Sequence, residues 1–357
     1  MALKNAPFAD ISLDAFAANV AHAKTTLAVQ SQLMVAVKSD AYGHGVAELS
    51  QVAITAGADA LAVLDIAAGV SLRPVIPETP LLCWLLSPHD DFAAGAKARL
   101  DMGISSLWQL DTLSSVAPGM ATRVHLKIDT GLHRNGALAK DWPGLISRAA
   151  ELEKLGHISV VGIWSHLADT SLAEDRLALE RFHQAVAHAT EAGLSPKILH
   201  IAASAAATDL PESRLDLVRV GISVYGVSPF DDRSAEDMGF APVMALRAPV
   251  ISSDAKTGIV ILGIGYGDGV LPLAPNTGWV IWGSTRLDIT SVDVDQIVLH
   301  CPAPQVPEPG EVLTLWGDPA LGSPRAEDWA SWGNTIGDEV VTCLASHVER
   351  RFISRSH

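Results

Sequence analysis

The sequence predicts an α/β chain in two parts: an N-terminal (β/α)8 barrel over residues 10–232, then a mostly-β domain over 233–357 with which residues 1–9 pack. Three observations carry this. At 357 residues the chain exceeds what one hydrophobic core usually holds. Its first two thirds alternate short apolar runs with longer Ala-rich amphipathic stretches, the rhythm of repeated βα units. After about Val227 the texture changes to short β-like runs separated by Pro and Gly turns.

The first strand, Leu33 to Val37, reads LMVAV, apolar without alternation, as expected of a strand covered on both faces of a parallel sheet. Ala60 to Leu64, Pro80 to Trp84, Met102 to Ser105, Val124 to Ile128, Val160 to Trp164, Ile198 to Ile201 and Leu217 to Val220 follow, and eight such units suggest a closed barrel. Helices fall between them; Glu174 to Ala192, for example, starts acidic and stops at Gly193. The β domain is read from VMALRAPVISS, TGIVILGIG, GWVIWG, LDITSVDVDQIVL and EVLTLWGD.

Composition narrows the function. The chain is 48% hydrophobic and 18% charged, and no apolar run is long enough to span a membrane. The opening MALKNAPFADISLD lacks an apolar signal core, so a cytoplasmic protein is expected. A net charge of −15 without a basic stripe speaks against nucleic acid and anionic membranes as partners. Cys83, Cys301 and Cys343 are odd in number and far apart, which suits thiols in a reducing compartment. His44, His125, His133, His157, His166 and His200 stand singly with no HxH or HExxH grouping, so no metal is expected and most are read as surface or packing residues.

Several polar residues share one place in this pattern. Lys38 follows the first strand, Lys127 ends the fifth with Arg134 soon after, His166 follows the sixth, Ser204 the seventh, and Arg219 sits in the eighth. All gather at the carboxyl face, where such barrels carry their chemistry. A lysine is usually a plain surface cation. Lys38, between five apolar residues and a tight Tyr-Gly-His-Gly turn, instead suits a partly desolvated amine that attacks a carbonyl to form a Schiff base. Ser204 and the Val220-Gly221-Ile222 turn could offer a hydroxyl and backbone N–H groups to a phosphate. A phosphate-bearing aldehyde satisfies both features.

The segments AVKSDAYGHG, LKIDTGLHRNG, SHLAD, HIAASAA, RVGISVYG, GIGYGDG and SVDVDQ, in this order, resemble the motifs of the alanine racemases, fold-type III enzymes of pyridoxal 5′-phosphate (PLP). The resemblance implies that Lys38 holds PLP and exchanges protons on the D face of the substrate Cα. Tyr266 would serve the L face from the other subunit of a head-to-tail homodimer. Arg219 would contact the pyridine nitrogen and disfavour its protonation, which weakens the electron sink and suppresses side reactions. Tyr42, Ser204, Gly221 and Ile222 would hold the phosphate, and His166 would stack near the ring or join the Arg219 and Tyr266 network. Arg134 and Val292 would meet the substrate, and Lys127 would be carbamylated so as to orient Arg134. The blander reading of that last pair is that Asp129 simply pairs with Lys127 or Arg134.

The three tyrosines, Tyr42, Tyr225 and Tyr266, all fall in matched motifs, and Tyr225 reads as packing. The chain departs from the family at Ala203, Val270, Ile289, Asp338 and Ser346, where an asparagine, tyrosines and an arginine are common. Such changes point to a widened or less polar entrance, so a racemase of different or broader range, serine included, stays open beside alanine. A fold-type III decarboxylase would need a cysteine with acidic residues, not visible around Cys301 or Cys343. A non-catalytic PLP-binding protein would resemble the barrel alone.

Overall fold

The computed structural model describes residues 6–302 and 305–354. They divide into two compact units. One comprises Val20–Ser39 and Val46–Gly221; the other takes in the residues up to Asn19, Asp40–Gly45 and those from Ile222 onward.

The first strand of the chain, β1 (Phe8–Ser12), belongs to the second unit. The next eight build the first unit: β2 (Gln32–Ala36), β3 (Ala60–Val63), β4 (Leu81–Cys83), β5 (Asp101–Ile104), β6 (Thr122–Lys127), β7 (Ile158–Trp164), β8 (Ile198–His200) and β9 (Leu217–Val220). All eight expected runs are strands, paired in parallel in the order β8-β7-β6-β5-β4-β3-β2-β9. The ring closes where Arg219 N–H donates to Ala202 O (3.2 Å) and Asp216 N–H to Leu199 O (3.1 Å). Such strands are covered on both faces, and β3, β4, β5 and β9 are buried throughout. Met34, Ala60, Ala62, Leu82 and Leu217 form the apolar cluster, with Trp84 and Ile198 against it.

The outer helices follow the 3.6-residue period. Helix Trp142–Lys154 has proline in its first turn and buries Trp142, Leu145, Ile146, Ala149 and Leu152. The Trp142 indole N–H reaches Ala185 O (3.0 Å) in the neighbouring helix Leu172–Glu191. That helix begins two residues ahead of the acidic start read from sequence, because Ser171 caps it by accepting from Glu174 N–H (3.2 Å).

The second unit holds β10 (Met244–Asp254), β11 (Ile259–Leu262), β12 (Trp279–Trp282), β13 (Thr285–Val292), β14 (Ile297–His300), β15 (Val312–Trp316) and β16 (Glu349–Ile353). Its order is β11-β14-β13-β12-β15-β10-β1-β16, and a further β10–β11 pairing closes a ring of antiparallel strands. β1 runs antiparallel to β10 and parallel to β16. Two short helices, Ala326–Gly333 and Gly337–Thr342, lie in this mostly-β unit. The first places Trp329 edge-on to Trp316, ring centroids 5.5 Å apart.

Trp142 is 2% exposed. Trp142→Ala is therefore expected to destabilise the barrel unit by about 3–5 kcal/mol, read as a lower urea midpoint at unchanged slope. An unmoved midpoint would remove Trp142 from the core.

Candidate active site

Lys38 stands just past β2, where Val37 N–H still bonds Ala62 O (2.8 Å). The chain then winds left-handed. Ser39, Asp40, Ala41 and Tyr42 all have φ of 53–54° and Gly43 has 79°, so the expected tight turn begins earlier, immediately after the lysine. Each non-glycine residue in this region costs roughly 1–2 kcal/mol, so its surroundings must impose it. Gly45 N–H returns to Asp40 O (3.0 Å), the His44 ring bonds Tyr42 O through Nδ1 (2.8 Å), and Arg350 Nε donates to Gly43 O (2.9 Å). Burial pushes the His44 pKa down to about 4, so the ring is neutral. Tyr42 is 7% exposed and packs tilted against Tyr225, ring centroids 4.9 Å apart. Burial first, and Asp338 second, raise its hydroxyl above the ordinary range, which keeps it a neutral donor.

Arg219, in β9, is the centre of the barrel's polar interior. Its guanidinium donates to Ser165 O and Ile201 O (both 2.8 Å). It also lies 3.0 Å from His200 Nδ1 and 3.2 Å from His166 Nδ1. Arginine has no acceptor, so His200 Nδ1 accepts from Nη1 and that imidazole carries its proton on Nε2, whereas the two hydrogens of Nη2 are shared among Ser165 O, Ile201 O and the more distant His166 Nδ1. Burial first, then Arg219, holds both rings well below the usual histidine range. Burial also lowers Arg219 itself to about 9, opposed by Asp169, and it stays charged.

The proton order runs on from there. His200 Nε2 donates to His125 Nδ1 (2.9 Å), and His125 Nε2 faces Asp101 Oδ2 (3.4 Å). Asp101 takes two bonds from Arg123 (2.7 and 2.9 Å). Burial would raise this carboxyl, but the hydrogen bonds from His125 and Arg123 outweigh it and hold the group below its ordinary range. A directed chain thus links the rim cation Arg123 to Arg219. Gly162 makes it possible, since a Cβ there would fall on the His125 ring and 2.7 Å from Ile198 O.

Lys127 lies two residues beyond His125, on the same face of β6. It is 6% exposed, with Nζ 4.3 Å from the centre of the Trp164 ring. Trp164 stacks on His200 at 5.6 Å, and Arg219 Cζ is 5.2 Å from the indole. Burial, then Arg219 and Arg134, lower the Lys127 pKa to about 7 against the pull of Asp129. Asp129 does not pair with either cation. Its carboxylate accepts Gly131 N–H (2.9 Å) and His133 N–H (3.1 Å) and so shapes the loop that carries Arg134. Ser204 opens the helix Ser204–Asp209, and its hydroxyl accepts Gly221 N–H (3.1 Å).

The barrel unit therefore brings Lys38, Lys127, Arg134 and Arg219 into electrostatic reach of one neutral imidazole, His166. After burial, the neighbouring cations lower the proton affinities of Lys127 and His166, which marks an excess of positive charge that suits anionic groups such as a phosphate and a carboxylate. A PLP phosphate would suit this charge, although the Gly221 N–H read from sequence as a phosphate donor is here bonded to the Ser204 hydroxyl. Tyr42, Ile222, Tyr266 and Val292 belong to the other unit. Ile222 is 6% exposed, Val292 9%, and Tyr266 47%. His44, His125 and His200 correct the sequence reading: all are fully or almost fully buried, and each is hydrogen-bonded through its ring rather than merely packed. Alternation along β6 was the signal for His125, because it shares a face with Lys127. Nothing in the sequence marked Asp101.

Residues 11–229 match the family model described as alanine racemase, N-terminal domain, and residues 250–352 match its C-terminal domain. An alanine racemase of Beutenbergia cavernae is 36% identical over 95% of this chain and 96% of its own length. One from Salinispora arenicola is 37% identical, covering 94% and 95%. Among solved structures, alanine racemase from D-cycloserine-producing Streptomyces lavendulae superposes with a TM-score of 0.93 at 32% identity, covering 98% of this chain and 97% of that one. Alanine racemase from Streptomyces coelicolor A3(2) gives 0.92 at 33%, covering 98% of each.

The depressed Lys127 pKa has a thermodynamic sign. The unfolded chain holds this proton up to about pH 10.4, whereas the folded chain releases it near 7. The cost of the buried cation is thus complete below about pH 7 and is relieved as pH rises above it. In cofactor-free protein and carbonate-free buffer, stability is expected to climb from pH 7 to 9. Lys127→Met should flatten that climb, and equal slopes in the two proteins would contradict the assignment.

Proposed function

Because this chain belongs to the alanine racemase family, and is therefore an amino-acid racemase, we propose that it interconverts L- and D-alanine on PLP. The carrying observation is the cationic cluster around neutral His166, with Ser204 and the Gly221 N–H beside each other in the same unit. When bound, PLP supplies the carbonyl that captures the amino group and the ring that withdraws electrons from Cα. Lys38 holds the cofactor and moves the proton on the D face. Tyr266 of the partner subunit moves it on the L face, so the working form is a head-to-tail homodimer in the cytoplasm. Tyr42, His166, Ser204, Gly221 and Ile222 hold the cofactor.

Arg219 would face the pyridine nitrogen of bound PLP. Its other contacts leave it a fixed cation, which disfavours a proton on that nitrogen. An unprotonated ring would be a weaker electron sink, which would limit transamination. Arg134 meets the substrate carboxylate, and Val292 contacts the substrate. With a pKa about 7, Lys127 has a substantial neutral fraction at physiological pH, and a neutral amine adds CO2 to give a carbamate and a proton. The resulting anion would offset Arg219 and orient Arg134.

A broader substrate range is the second reading. Val270 is 2% and Ile289 0% exposed, so apolar side chains fill positions where the family commonly carries tyrosine and arginine. PLP-saturated protein in heavy water, given a panel of L and D amino acids, decides between them. Alanine is expected to gain Cα deuterium with inversion faster than serine does. Tyr266→Phe should lose on the order of 10²–10⁴ in kcat/KM. Inversion of no amino acid would sink the racemase mechanism, and fastest inversion of another would move only the substrate.

A further inference from the structure

Tyr266 is half-exposed, so its direction is set by the backbone that carries it rather than by packing around the ring. That backbone is one 3₁₀ turn, Tyr266–Asp268, held on two sides. On one side Tyr266 N–H donates to Asp293 O (2.9 Å) and Gly267 N–H to Val294 O (2.7 Å). On the other, Ala345 N–H donates to Asp268 O (2.9 Å). A Cβ on Gly265 would lie 2.5 Å from Val294 O, so the turn fits its seat without slack.

The Asp268 side chain joins the two ends of this turn. One carboxylate oxygen accepts Gly265 N–H (2.9 Å), fixing the entry to Tyr266, and the other lies 2.8 Å from His347 Nε2. An ionised carboxylate only accepts, so His347 is the donor. Asp268 is 18% exposed at its side chain and His347 63%, so the pair adds little to stability. What it does is mechanical: it stops the carboxylate from turning away from Gly265.

We propose that Asp268 and His347 are positioning residues for Tyr266, with the His347 ring locking the carboxylate that fixes the tyrosine's turn. The inference rests on Tyr266 being the L-face base. A displaced base loses rate steeply, because catalysis depends on reacting atoms held near contact distance. Loosening the lock slows proton transfer on one face only.

The test uses PLP-loaded full-length enzyme and His347→Leu, His347→Gln, Asp268→Asn and Tyr266→Phe, with alanine deuterated at Cα. His347→Leu is expected to lower kcat/KM on the order of tenfold. It should raise the isotope effect with L-alanine and reduce it with D-alanine, because L-face transfer becomes more rate-limiting. His347→Gln keeps an N–H donor and should recover most of the rate, and Asp268→Asn should behave like His347→Leu. Melting temperature and bound-cofactor absorbance should not move. Isotope effects that are unchanged, or that shift together in both directions, overturn the positioning role. Full activity in Tyr266→Phe overturns instead the reading on which it rests.

Discussion

A buried guanidinium organises the barrel interior. Arg219 is 4% exposed, and a charge so placed is tolerable only when it is well hydrogen-bonded. Nη2 serves the Ser165 and Ile201 carbonyls just past β7 and β8, with His166 Nδ1 beside them, and Nη1 donates to His200, which must stay neutral to accept it. That demand fixes the His200 tautomer, which fixes His125, which is anchored by Asp101. Trp164 lies flat on His200 and presents its face to Lys127, whose proton affinity is lowered by burial and then by Arg219 itself. The barrel's hydrogen-bond order is thus set by one cation that cannot accept.

The barrel was legible in the sequence because parallel strands need both faces covered. Each expected apolar run became a strand within one or two residues at most ends. The antiparallel ring was legible through its Gly and Pro turns. The helices after Trp316 were not, because Ala326–Gly333 and Gly337–Thr342 are only a few turns long and are held by packing of Trp329 and Val341 rather than by periodicity. The left-handed coil after Lys38 was likewise hidden. Asp40, Ala41 and Tyr42 have no intrinsic preference for positive φ, and only tertiary bonds impose it.

Site residues divided by the same logic. Lys38, Lys127, His166 and Arg219 sit at strand ends, so their shared face followed from counting. Asp101 opens a strand at the opposite end from those residues, and its partner His125 looked like any lone histidine. Long-range pairing such as Asp101 with Arg123, or Asp268 with His347, leaves no trace in spacing.

The pairing of β1 with both β10 and β16 also governs biosynthesis. Residues Phe8–Ser12 are translated ahead of the barrel strands, yet their sheet neighbours follow only after the whole barrel segment. The barrel strands are contiguous in the chain and can assemble while synthesis continues. The nascent β1 must wait with its backbone donors and acceptors unpaired, an edge open to pairing with other chains. Emergence of β16 is therefore the event that completes the β1 pairing, and the interval before it is when this edge is most exposed to aggregation.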